Sequence, residues 1–171
     1  MGRPDPTSRR DWIRRALADY EGRLVRYAAR LTGDVDRARD VVQEAFSRLC
    51  REDPASLNGR LEAWLYTVCR NTALDEQRKQ KRVVRLVDAA AETIEGGVPS
   101  PAETAHRGQT VSRLAALVET LPPREQEVIR LKFQEGLRYR QIAEVMELSV
   151  GNVGYLIHTA VNRLREQMGE E

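Results

Sequence analysis

Along the first third of the chain, apolar residues return every three or four positions, as Ile13, Leu17, Tyr20, Leu24, Ala28 and Leu31. That period draws one stripe down an α-helix. LTGD then stops it, because Gly33 suits the left-handed residue after a helix and Asp34 can cap the next one. A second stripe, Ala38, Val41, Val42, Ala45, Phe46 and Leu49, predicts a second helix, and EDPASLNG breaks it with Pro54 and Gly59. A third, longer helix starts near Leu61, turns Trp64, Leu65, Val68 and Leu74 inward, and ends in a run of basic residues.

From about Val83 the character changes. Residues 83–108 hold a glycine pair and two nearby prolines with weak periodicity, and read as a flexible linker with a helical turn at each end. Val111, Leu114, Leu117, Val118 and Leu121 open a second helical unit, and Pro122 and Pro123 mark the start of its next helix. That helix carries Val128 and Ile129, runs through Lys132 and Phe133, and ends at Gly136. YRQIAEVMELSVGNVGYLIHTAVNRLR, from Tyr139 to Arg165, then fits two short helices joined by a tight turn. Ile142, Ala143 and Met146 face inward on the first, and Ser149 caps the second. Val150, Val153, Ile157, Ala160, Val161 and Leu164 form the second stripe. Glu147 stands in the turn where glycine is common, and a left-handed non-glycine residue costs on the order of 1–2 kcal/mol. No strand pattern stands beside these stripes. The fold class is all-α, with two small helical domains, 10–82 and 109–168, on a tether.

Composition narrows the functions. The 28 basic and 26 acidic residues leave a net charge of +2, so total charge says little about partners and its distribution says more. Arg78, Lys79, Lys81, Arg82 and Arg85 follow one another with no acid among them, either a solvated helix end or a phosphate-contacting strip. No apolar run approaches the ~20 residues that span a bilayer, and MGRPDPTSRRDW has no apolar core behind its charges, so neither membrane insertion nor secretion is expected. Cys50 and Cys69 lie inside helical patterns far from both histidines, without metal-ligand spacing, and are expected as reduced cytoplasmic thiols. With no P-loop, hydrolytic triad or metal constellation, the expectation is a non-enzyme with no catalytic residue, no metal and no cofactor.

The paired helices near the C-terminus have the spacing of a helix-turn-helix, with a plain helical hairpin as the alternative. In such a motif the start of the second helix enters the major groove, which puts Asn152, Gly154, Tyr155, His158 and Thr159 toward the bases. Asn can bond an adenine edge bidentately, and Thr and Tyr can bond base edges or pack on the thymine methyl. None of these neutralises a phosphate; Lys132, Arg138, Arg140, Arg163 and Arg165 can do so from either side.

LPPREQEVIRL followed by a helix-turn-helix also occurs in response-regulator proteins, so the N-terminal half decides. ARDVVQEAFSRL, then LEAWLYTVCRNTALDEQRKQKR, resembles the core of bacterial extracytoplasmic-function sigma factors, and the resemblance covers nearly the whole chain. It implies a region two over 10–82 and a region four over 109–168. It implies that Asp40, Val41, Gln43, Glu44 and Phe46 dock on core RNA polymerase. It implies further that the loop Pro54–Arg60, through Ser56, Asn58 and Arg60, reads a base flipped from the melted −10 strand. Asn71 matches the family asparagine facing that strand; Tyr66 is a nearby aromatic, open between core and stacking. Arg70, Arg78, Lys79, Lys81 and Arg82 become a basic helix end beside the strand.

Region four is then expected to read duplex −35 DNA through Lys132, Arg138, Arg140, Asn152, Gly154, Tyr155, His158, Thr159 and Arg163. Here the chain departs from the family, which commonly carries Lys or Arg where Gly154, Leu156 and Thr159 stand, and Ser in place of Tyr155. The resemblance also implies an anti-sigma factor as partner and a linker lying in the polymerase's RNA exit path. Two alternatives stay open: a stand-alone helix-turn-helix regulator of duplex DNA, and a region four repurposed to hold a protein partner.

Overall fold

The structure is a computed structural model that describes residues 6–88 and 107–169, with side chains described over 8–82 and 113–169. The stretch 89–106, most of the expected linker, lies outside the described residues. All elements described are helical: α1 (Pro6–Thr32), α2 (Val35–Leu49), α3 (Leu61–Asp88), α4 (Arg107–Glu119), α5 (Pro123–Ile129), α6 (Tyr139–Met146) and α7 (Val150–Gly169). The chain divides into two compact units, one holding α1–α3 and the other α4–α7.

In the first unit each helix packs on the other two. The α1–α2 corner forms as its residues dictate. Gly33 takes φ 72, where a side chain would strain the backbone. The Asp34 carboxylate accepts the Asp36 and Arg37 amides at 2.8 and 3.0 Å, satisfying two orphan donors of α2. The bond from Arg37 is the first cause holding the Asp34 carboxyl below its ordinary value. All six residues of the α2 stripe are buried.

α3 departs from expectation. It runs to Asp88, past the point where the linker was expected to begin, and its inward face is Ala63, Leu65, Tyr66, Cys69 and Ala73. Trp64, Val68 and Leu74 are only half-buried. A helix wedged between two others brings small residues to the line of closest approach, and a search for large apolar residues passes over them. In α1 the buried set is Ala16, Leu24, Tyr27 and Ala28, with Ile13, Leu17, Tyr20 and Leu31 half-buried. The Gln77 side chain donates to the Leu31 carbonyl, tying α3 to the end of α1.

The second unit gathers α4, α5 and α6 around α7. After Ile129 the helix widens into one π-helical turn, Arg130–Gln134, where the Glu135 amide reaches back five residues to the Arg130 carbonyl at 3.1 Å. That turn buries Leu131 and the Arg130 side chain, which donates to Glu119 on α4 at 2.5 Å. Gly136, at φ 72, ends it as expected. Leu114 is exposed rather than buried, and so is Val150, which opens α7 before the stripe reaches the core at Val153. Ile142, Val145, Val153, Ile157 and Ala160 fill the space between α6 and α7.

Candidate nucleic-acid interfaces

The loop between α2 and α3 is held from both sides. Arg9 on α1 donates to the carbonyls of Cys50 and Glu52 at 2.6 and 2.7 Å, which fixes where the chain leaves α2. Asp53 accepts the Ala55 amide at 3.1 Å, and the Ser56 hydroxyl donates to the Asp53 carbonyl at 2.7 Å, closing a local turn. Leu57 is buried and anchors the loop from below. Gly59 takes φ 72 with open space around its Cα, so it is required for conformation and not for room. Asn58 and Arg60 are exposed at the outer edge. Across the entry to α3, Arg23 pairs with Glu62 at 3.2 Å.

Tyr66 does not join this surface. It is fully buried, meets Tyr27 edge-to-face with ring centroids 5.2 Å apart, and has the Arg23 guanidinium 5.9 Å above it. Both partners stand on α1, and of the two roles the sequence left open for Tyr66, core and stacking, its burial favours the core. Arg70 and Asn71 are half-buried, while Arg78, Lys79, Lys81 and Arg82 are exposed. Two of these cations have acidic neighbours one turn back: Arg78 with Asp75 at 3.2 Å and Lys79 with Glu76 at 2.8 Å. Glu76 holds the Lys79 ammonium above its ordinary value. The i,i+3 spacing that makes these pairs was visible in the sequence.

On α2, Asp40 and Gln43 are exposed and Glu44 is half-buried, paired with Arg48 at 2.8 Å. Val41 and Phe46 are 2% and 7% exposed, so a docking role for their side chains is corrected: they hold α2 to its neighbours. Asp40 and Glu44 border a groove of about 370 Å³ between α2 and α3, which α3 lines with Thr72, Asp75, Glu76 and Lys79. The α3 side of that groove was not legible from either helix alone.

In the second unit, α6 ends on Glu147 at φ 54 and ψ 47, the left-handed residue expected. The Leu148 amide reaches back to the Ala143 carbonyl at 2.9 Å, and Ser149 Oγ accepts the Asn152 amide at 3.1 Å, so the turn satisfies both helix ends. The Gln141 side chain accepts the Arg138 amide at 2.8 Å and caps the start of α6. On α7, Asn152, Tyr155 and His158 are exposed, and Gly154 and Thr159 half-buried. His158 Nε2 lies 3.0 Å from Asn162 Nδ2. Arg138 and Arg140 are exposed. Two of the expected phosphate contacts are engaged within the unit. Arg163 pairs with the buried Glu125 of α5 at 3.2 Å, and the Lys132 ammonium sits 5.4 Å over the Tyr139 ring. The roles of Glu125 and Arg9 were missed because each depends on a partner about forty positions away, and that of Tyr139 because its partner, Lys132, lies on the other side of the turn at Gly136.

Residues 16–83 match the model of Sigma-70 region 2, and residues 112–164 that of Sigma-70, region 4. The chain is 32% identical over 163 residues to the ECF RNA polymerase sigma factor SigL of Mycobacterium tuberculosis, covering 92% of this chain and 90% of that one. It is 28% identical over 155 residues to SigE of Mycolicibacterium smegmatis, covering 90% of this chain but 60% of that relative's length. The sigma factor RpoE of Bartonella quintana, solved in complex with the anti-sigma factor NepR, shares the fold with a TM-score of 0.70 at 24% identity, covering 92% of this chain and 97% of its own. The chain belongs to the ECF RNA polymerase sigma factors, the alternative sigma factors of promoter recognition and transcription initiation.

Proposed function

We propose that α1–α3 hold core RNA polymerase and open the −10 element, while α7 lies in the major groove of the −35 element. Asp40, Gln43 and Glu44, the polar edge of α2, make the polymerase contact. Asn58, Arg60 and Asn71 receive the extruded −10 base and its strand, with Ser56 shaping the loop, and Lys81 and Arg82 meeting the phosphates beyond. Arg70, Arg78 and Lys79 add positive charge to the same helix end. The observation that carries this reading is the preset loop. Arg9, Asp53, Leu57 and Gly59 fix its shape before DNA arrives. Extruding a base costs a few kcal/mol. A loop already in its bound shape loses little entropy on binding, so more of the contact energy offsets that cost.

In region four, Asn152, Tyr155, His158 and Thr159 face the base edges, with Gly154 between them. Arg138 and Arg140 flank the groove, Lys132 adds charge beside Tyr139, and Arg163 sets the position of α7. The polymerase performs the nucleotide chemistry, and this chain contributes binding and positioning without a catalytic group of its own. An anti-sigma factor holds it inactive in the cytoplasm, by likeness to the RpoE–NepR complex.

Run-off transcription from core enzyme plus this chain tests the reading. The expected result is promoter-dependent transcripts that Asn58→Ala reduces at the strand-opening step, reported by 2-aminopurine in the −10 element, with core binding retained. Tight duplex binding without transcripts would instead mark a stand-alone regulator.

A further inference from the structure

Between Gly151 and Thr159, α7 carries no Lys or Arg. The exposed residues of that stretch are Gly151, Asn152, Tyr155 and His158, and Tyr155 is the large apolar one, 69% exposed. His158 is held beside Asn162, and the flanking cations Arg163 and Lys132 are turned to Glu125 and to Tyr139. Gly154, next to Tyr155, has no side chain, and a Cβ there would meet Tyr139 Cε2 at 3.8 Å, an ordinary contact. Nothing inside the fold therefore demands glycine at 154.

An exposed ring on a groove-facing helix costs solubility and gains nothing until it meets an apolar surface. The major groove offers one such surface among the four bases, the C5-methyl group of thymine. We infer that Tyr155 selects thymine in the −35 element by packing its ring on that methyl group. This step of promoter recognition is apolar rather than ionic. The inference rests on α7 being the −35 helix, and it names the chemical feature that the helix takes.

The test uses the full chain with core polymerase on a promoter mapped from its own transcripts. One template keeps thymine in the −35 element, and the other carries deoxyuridine at every such position on both strands. Only methyl groups differ, and all hydrogen-bonding groups stay. At limiting holoenzyme, the wild-type chain is expected to lose about fourfold in open complexes per contacted methyl. Tyr155→Ser abolishes the thymine-to-uracil difference, and Tyr155→Phe, which keeps the ring, preserves it. Equal activity of the wild type on both templates overturns the inference while leaving the sigma function standing. So does a Tyr155→Ser variant that retains the difference. A Tyr155→Ser variant that loses core-polymerase binding instead assigns the ring to a protein contact. Transcription from that promoter that does not depend on its −35 element overturns the reading of α7 beneath it.

Discussion

The ion pair between Glu125 and Arg163 is lopsided, and its lopsidedness predicts unequal costs. The Glu125 side chain is 8% exposed and that of Arg163 47%, with 3.2 Å between Oε1 and the guanidinium. The second Glu125 oxygen, Oε2, is buried without a partner. Arg163→Met keeps the aliphatic stem and removes the charge, leaving a carboxylate in the core with no counter-ion. Stranding a buried charge costs about 3–5 kcal/mol when water is fully excluded. The half-exposed arginine site admits some water, so about 2–3 kcal/mol is expected here. Glu125→Gln keeps the shape and leaves a guanidinium that solvent can reach, at a cost of about 1 kcal/mol or less. The double variant then falls close to Glu125→Gln alone, because the stranded carboxylate is gone. Both tryptophans, Trp12 and Trp64, lie in the other unit, so fluorescence would not see the change. Amide hydrogen exchange in α5 and α7, followed through a urea series on the full chain, reads it directly. Equal costs for the two single variants, or a larger cost for Glu125→Gln, would refute the argument that the carboxylate is the desolvated partner.

Three further outcomes are expected. Cys50 is exposed and Cys69 buried, with burial pushing the Cys69 thiol up to about 12 from 9.0. One thiol per native chain should therefore react with a disulfide reagent at neutral pH, and two in denaturant. Because the unfolded thiol ionises from about 9 while the folded one stays protonated to about 12, stability falls with rising pH across that window, and less so in Cys69→Ala. Glu147→Gly relieves the left-handed strain of on the order of 1–2 kcal/mol, offset in part by the chain entropy of glycine. Region four should gain about 0.5–1 kcal/mol in a thermal melt, and an unchanged or lower stability would show that the exposed Glu147 side chain makes a contact of its own.

The α2 stripe was legible because an isolated 3.6-residue period with six apolar members has one way to be buried. The corners were legible for a related reason: Gly33, Asp34, Gly136, Glu147 and Ser149 act on backbone groups within a few residues of themselves. α3 was harder. Its period was visible, but whether Trp64 or Tyr66 faces the core depends on the direction from which α1 and α2 approach, and Tyr27 has to meet Tyr66. The basic run at its end was read as a solvated helix end or a phosphate-contacting strip, and Asp75 and Glu76 at i,i+3 pair two of its cations.

Sequence alone determined the all-helical class, the two-part organisation, the helix-turn-helix and the likeness to sigma factors, since these rest on periodicity and on motifs of adjacent residues. Tertiary structure decided which side chains are available for function. It buried Val41, Phe46 and Tyr66, tied Arg9 to the loop between α2 and α3, and paired Arg163 with Glu125 across 38 positions. Exposure and pairing are properties of three-dimensional neighbours, and a linear pattern carries no record of which helix comes to lie against which.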